Sequence, residues 1–477
     1  MPPFNETNDK SSAGEYVNKV CNQIRWGRAH KVISEELLNH IEDQKEAFIK
    51  KGQNEQEAEK RAVLEMGDAV TVGQQLDRTH RPKPEWGTIV ILCICLILGA
   101  VVQFIISYYS GMNGENYNSV FKDYLISVPI GLAAFLFVYF ADFTFIIRSP
   151  IVVYLSILAG SVGIISNSTA RFGTYGHIIS TAMLLCPMYA AVVYNYRNSG
   201  YGGIIKSGII AVLTLGVLAY GGGYMACFLF ALSGLIILST AISKGWFSVK
   251  KWKAFLLVYV PSLSVLMYTL LAIQAHISLR GRGIILPISS LINQQESPDF
   301  YVLMVLKQYI QNLKLWGEGM PAFPNSLSPV TIEKMLPCWG SDYSLVYIAY
   351  KFGYMCAALL IAILAFLLIR MLVITLKQTS ELGFMVCLSV TIELFIQSGF
   401  YILSNLGVMA AVAGTLPFIT YEQKSFIVNL YLMGLFLSAY RNKSIVSDKQ
   451  VTKSKSFLNG LILKKKKSTG GDNYAGI

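Results

Sequence analysis

GTIVILCICLILGAVVQFIISYY, Gly87–Tyr109, is an unbroken apolar run without a single charged side chain. Roughly 18 or more such residues are enough to cross the hydrocarbon core of a bilayer. Nine further stretches repeat the pattern, at approximately 124–147, 150–167, 174–195, 204–220, 222–243, 252–275, 344–374, 383–405 and 424–440. The fifth and sixth of the ten are separated only by the turn Gly221-Gly222-Gly223. The composition of the 477-residue chain agrees: 53% of it is hydrophobic and 14% charged, too apolar for an ordinary soluble protein. The sequence therefore predicts an all-α polytopic membrane protein of about ten transmembrane helices. The residues ahead of Gly87 are polar and the first apolar run is too long for a signal peptide, so none is expected.

Charge sets the expected orientation. With a cytoplasmic N-terminus, the inside loops carry Arg148, Arg197, Lys206, Lys244, Lys250, Lys251, Lys253, Arg370 and Lys377, and the tail adds Arg441, Lys443 and Lys464–Lys467. This is the positive-inside pattern, and with an even number of spans it puts both termini in the cytoplasm. The net charge of +12 reads as a membrane signature, from segments facing an anionic leaflet of membrane lipid. The basic residues lack aromatic interleaving, which argues against a nucleic-acid partner.

Three parts follow along the chain. Residues 1–86 read as a separate cytoplasmic module of short helices. Ile33, Leu37 and Ile41 form one apolar stripe, Asn54-x-x-Glu57 has the form of a capping box, and Gly52 and Gly67 stand where helix C-caps belong. Glu36–Asp43, followed by Gly52, Glu57-Ala58 and Met66-Gly67-Asp68, resembles the bacterial permease-prefix (HAAS-type) domain. That resemblance implies partner binding; a generic small helical bundle is the alternative. Residues 87–442 form the membrane domain, interrupted by one large outside loop, 276–343. That loop holds Arg280, Arg282, a stretch from Phe300 to Leu315 expected to lie in the membrane interface, Gly317-Glu318-Gly319, and several prolines. Residues 443–477 read as a basic cytoplasmic tail.

The loop ends at Leu336-Pro337-Cys338-Trp339-Gly340-Ser341-Asp342-Tyr343, just before an apolar helix. A carboxylate there, at the outer membrane surface, suits chemistry on a lipid-linked substrate as a general base. Asp342 equally has the position of a helix N-cap. Glu393 lies mid-membrane with Gln397 one turn later. An ionisable residue there is costly and commonly functional, or else is a protonated carboxyl hydrogen-bonded to a neighbour. The eight cysteines make no disulfide framework or zinc pattern, and the five histidines are scattered. Gly221–Gly223 lacks the lysine and spacing of a phosphate loop.

The membrane domain resembles the SEDS family (FtsW, RodA, SpoVE) from about 87 to 442. The matching residues are Leu336-Pro337 with Ser341-Asp342-Tyr343, then Phe352-Gly353. They continue with Gln397, Asn405 and Gly407, and with Leu416-Pro417-Phe418-Ile419-Thr420-Tyr421 and Ser425. Arg282 with Pro287, Gly317-x-Gly319 and Arg171-Phe172 match upstream. The departures are specific. Tyr350 and Lys351 stand where the family has two glutamates, and Glu422-Gln423 replace a Gly-Gly. Tyr175-Gly176-His177-Ile178 occupies the region of a Gln-Pro-Ser-Glu motif.

The resemblance implies a peptidoglycan glycosyltransferase in a bacterial cell membrane, polymerising lipid II in division, elongation or sporulation. It implies a class B penicillin-binding protein as partner. Asp342 would be the base or a ligand of a divalent cation, Mg²⁺ or Mn²⁺. Arg171, Arg280 and Arg282 would contact phosphate, because the guanidinium fork pairs with phosphate oxygens. Gln397, Asn405 and Ser425 would line the substrate site. A catalytically silent scaffold and a lipid-linked sugar flippase are the alternatives, the second drawing on Glu393 and Gln397.

Overall fold

The computed structural model describes residues 12–81, 84–112, 118–141, 149–167, 175–221, 223–264, 298–320, 332–336, 339–408 and 414–442. Arg171, Arg280, Arg282 and the tail 443–477 lie outside them. All regular structure among the described residues is helical. The chain divides into two compact units, one comprising Met1–Pro84 with two short later pieces, the other Glu85–Gln378 and Leu382–Tyr440.

In the first unit, α1 (Ser12–Gln23), α2 (Gly27–Lys50), α3 (Glu55–Glu65) and α4 (Ala69–His80) surround one small core. The expected stripe Ile33, Leu37 and Ile41 lies in it, with Val17, Val20, Phe48, Ala58 and Ala62. Gly52 and Gly67 both take positive φ, as expected after a helix end. The capping box does not form. Asn54 is the N-cap of α3 but its side chain makes no cap bond. The working cap is Asp68, which accepts from the Thr71 amide at 2.9 Å at the start of α4.

Among the described residues of the second unit, seven helical stretches are long and apolar enough to cross a membrane: Trp86–Ser110, Phe121–Phe140, His177–Asn195, Gly200–Tyr220, Met225–Ser243, Tyr354–Leu376 and Glu381–Asn405. They belong to α5 (Trp86–Met112), α6 (Asn118–Phe140), α8 (Tyr175–Asn195), α9 (Gly200–Tyr220), α10 (Tyr224–Ser243), α14 (Tyr354–Leu376) and α15 (Glu381–Asn405). The expected third span is the shorter α7 (Pro150–Asn167), and the tenth is α16 (Gln423–Arg441). The seventh is helical over 251–264, where the described residues stop.

Burial follows solvent. α8 is enclosed, with Ala182, Met183, Leu185, Cys186, Ala190, Ala191, Val192 and Val193 sealed off. α6 and α9 turn Leu125, Phe137, Ile209 and Val212 outward, the apolar exposure that lipid rather than water tolerates. Polar side chains point the opposite way: Ser127, Ser207, Thr214 and Ser233 are fully buried.

The predicted continuous span 344–374 is broken. α13 (Ser344–Phe352) ends at Gly353, whose φ of 97° lies outside the helical region, and α14 begins at Tyr354. The cause is the segment 312–320, which runs along the break. Its Gly317 and Gly319 amides donate to the carbonyls of Phe352 (3.1 Å) and Tyr350 (2.8 Å), and the Tyr354 amide donates to Lys314 O at 3.0 Å. The helix before it, α11 (Pro298–Gln311), packs against α13; it buries Leu303, Val305, Leu306 and Tyr309. A methyl on Gly353 would come within 2.4 Å of the Leu315 carbonyl. Gly353→Ala is therefore expected to destabilise the protein by about 1–3 kcal/mol, read as a lowered thermal unfolding midpoint in detergent.

Candidate active site

The Asp342 turn is built from the inside outward. Trp339 is buried and packs at a tilt against Tyr347 with ring centroids 4.4 Å apart, which fixes the start of the turn. The Tyr347 hydroxyl donates to Glu333 at 3.2 Å, and Lys351 reaches both Glu333 (3.6 Å) and Glu318 (2.6 Å). Thus Lys351 ties the Gly317–Gly319 strip and α12 (Ile332–Met335) to α13. Tyr350 stacks edge-on to Tyr309, centroids 5.0 Å apart. Both residues that replace the glutamates expected from the resemblance hold the loop.

Asp342 does not cap α13. The N-cap is Tyr343, and no side chain makes a cap bond there. The turn is held instead by α15. Asn405 Nδ2 donates to the Asp342 carbonyl (2.9 Å) and the Tyr401 carbonyl (3.0 Å), while its Oδ1 accepts from the Val346 amide (3.2 Å). Tyr401 Oη lies 2.8 Å from Ser344 Oγ and 3.3 Å from the Ser341 carbonyl. None of these bonds uses the Asp342 carboxyl.

Its setting lifts its pKa from an ordinary 3.8 to about 6. Burial is the chief cause; a hydrogen bond from the Ser341 side chain opposes it, and the negative charge of Glu422 adds to it. Glu422 is fixed at the N-terminus of α16, where its carboxylate accepts the amides of Ser425 (2.7 Å) and Lys424 (3.4 Å). The substitution of Glu-Gln for Gly-Gly has thus put a second carboxylate in the electrostatic reach of Asp342.

Other residues singled out in the sequence sit nearby or apart. Ser425 is buried in the first turn of α16. Gln397 donates to Thr415 Oγ1 at 2.9 Å, holding the start of the 414–421 loop, in which Phe418 takes a φ of 66°. Glu393 is fully buried and accepts from Ser233 of α10 at 3.1 Å; its other oxygen has no hydrogen-bond partner among the described residues. Three turns of α15 separate it from Asn405, about 18 Å along the axis. Glu393 therefore lies away from the Asp342 turn. Tyr401 and Ser344 escaped notice in the sequence. For Tyr401 the signal was present, since 393, 397, 401 and 405 recur at four-residue spacing along one membrane helix.

A carboxyl raised above its ordinary value disfavours its ionised form in the folded state. The cost to stability is absent below about pH 4, grows as pH rises, and is complete above about pH 6. Asp342→Asn keeps the shape and removes that cost. It is expected to raise the thermal midpoint at pH 8, by about 1–3 kcal/mol in stability, with the difference shrinking towards pH 4.5.

Residues 85–445 match the family model of the cell cycle proteins FtsW, RodA and SpoVE. Over 127 residues, 26% of the chain, the sequence is 31% identical to the probable peptidoglycan glycosyltransferase FtsW of Thioalkalivibrio sp. (strain K90mix). That match spans 32% of the relative, about a third of its length. One similar solved chain comes from work on the structural coordination of polymerization and crosslinking by a peptidoglycan synthase complex. Its TM-score is 0.54 at 15% identity, over 76% of this chain and 98% of that one. Another is an aspartate-to-alanine mutant of the Rod shape determining protein RodA from Thermus thermophilus, with TM-score 0.50 at 11% identity and coverage of 76% and 98%. At these identities the likeness is one of fold.

Proposed function

The chain belongs to the FtsW, RodA and SpoVE cell cycle protein family, and from that premise we propose that it is a peptidoglycan glycosyltransferase that polymerises lipid II. The observation that carries the reading is Asp342, a carboxyl free of capping duty whose pKa of about 6 suits a base near neutral pH. In the reaction, the acceptor sugar hydroxyl attacks the anomeric carbon of the donor. Asp342 takes the hydroxyl proton as the new C–O bond forms, and the bond to the polyprenyl pyrophosphate breaks with its electron pair leaving on the pyrophosphate. Arg171, Arg280 and Arg282 are the groups we assign to that departing charge.

The donor chemistry near Asp342 suits Mg²⁺ or Mn²⁺. Two carboxylates within electrostatic reach are hard oxygen donors of like charge, and such ions commonly bind one or two carboxylates plus substrate phosphates. Among the described residues no group of three or more His, Cys, Asp or Glu side chains could hold a metal ion, so in this reading the substrate's phosphates complete the site. Asp342 and Glu422 would hold the cation, and its chemistry there is neutralisation of pyrophosphate charge. Family membership also supports a class B penicillin-binding protein as the partner that crosslinks the strands.

A second reading, a silent scaffold that binds lipid II or recruits partners, is favoured by Tyr350 and Lys351. Where the resemblance calls for glutamates, these two side chains make loop contacts.

Purified protein with labelled lipid II, Mg²⁺ or Mn²⁺ and candidate partners decides between them. Wild type is expected to make glycan strands, with a rate that rises with pH up to about 6 and then levels as Asp342 ionises. Asp342→Asn is expected to lose about 100-fold or more. No product from wild type with every partner and metal, while lipid II still binds, would establish the scaffold.

A further inference from the structure

Two residues of α15 grip the backbone on both sides of Asp342. Tyr401 and Ser344 form one set: one hydroxyl donates to the other, and the second donates to the Ser341 carbonyl, with the two oxygens 2.8 Å apart and each 3.3 Å from that carbonyl. Asn405 forms the other, joining the Asp342 carbonyl to the Val346 amide through its two side-chain ends. No bond of either set reaches the Asp342 carboxyl. Tyr401 is sealed from solvent and Asn405 is 1% exposed, so water does not replace the bonds when they break. The two residues are one turn apart on one helix, and that helix is among the longest in the fold, at 25 residues. A turn pinned to a rigid element is more accurately placed than one held by its own loop.

We propose that Tyr401 and Asn405 are positioning residues for the Asp342 carboxyl, acting through the backbone of residues 341–346. The role rests on the glycosyltransferase reading above. Removing the Tyr401 hydroxyl leaves the Ser341 carbonyl with Ser344 alone. Removing the Asn405 amide frees the Asp342 carbonyl and orphans the Val346 amide. In either case the turn relaxes, and the carboxyl loses its aim at the acceptor hydroxyl while keeping its chemistry.

Two measurements on the full-length protein test this. The first is amide hydrogen exchange without substrate, which needs no activity. Tyr401→Phe and Asn405→Ala are expected to speed exchange in peptides covering 341–346 and to leave those within α14 unchanged. The second is a double-mutant cycle on lipid II polymerisation. Tyr401→Phe is expected to lower kcat about 10- to 100-fold with KM little changed. Added to Asp342→Asn, it is expected to cost nothing more, because the group it aims is gone.

Unchanged exchange in 341–346, or full additivity of the two losses, would overturn the proposal. So would a Tyr401→Phe loss that tracks a general fall in thermal stability. A wild type that makes no glycan would defeat the glycosyltransferase reading and the positioning role with it. Locally faster exchange in that case would still show that α15 holds the turn.

Discussion

Everything near Asp342 depends on a rule of the membrane interior: a polar group on a spanning helix must find its partner inside the protein. α15 carries Glu393, Gln397, Tyr401 and Asn405 down one face. Each is buried, and each reaches to another part of the chain: Ser233 of α10, Thr415 of the following loop, Ser344 of α13, and the Asp342 turn. The cost of leaving such groups unpaired is what fixes two loops against one helix. The turn that carries Asp342 and the start of the 414–421 loop are thereby placed by the same element.

That arrangement is reinforced by residues that depart from the family pattern. The glutamates expected after the turn have become Tyr350 and Lys351, and these brace the strip 312–320 against α13. A negative charge has been added elsewhere, as Glu422 at the N-terminus of α16, where helix amides hold it. Glu422 raises the pKa of Asp342 further.

Much of this was legible in the sequence. Composition and long apolar runs identify the membrane architecture without help, because length and hydropathy are what the bilayer selects. The stripe Ile33, Leu37 and Ile41 marks the core of the first unit for the same periodic reason. Asp342 stands out by its place at the end of a polar loop. What could not be read is what holds it. An Asp before an apolar run looks like an N-cap, and only the structure shows the cap at Tyr343 and the turn hung from Asn405, 63 residues later. The break at Gly353 was hidden likewise, since an apolar run crosses it and its cause lies in the segment Leu315–Gly319.

The central claim is that this fold keeps the half-buried Asp342 carboxyl partly desolvated and poised. The direct measurement is its titration: carbodiimide labelling of Asp342 across pH 3–8 without divalent cations, quantified by mass spectrometry. A labelling midpoint near 6 is the expected result. A midpoint at the ordinary carboxyl value of 3.8 would mean that Asp342 is solvated, and would contradict the site described above.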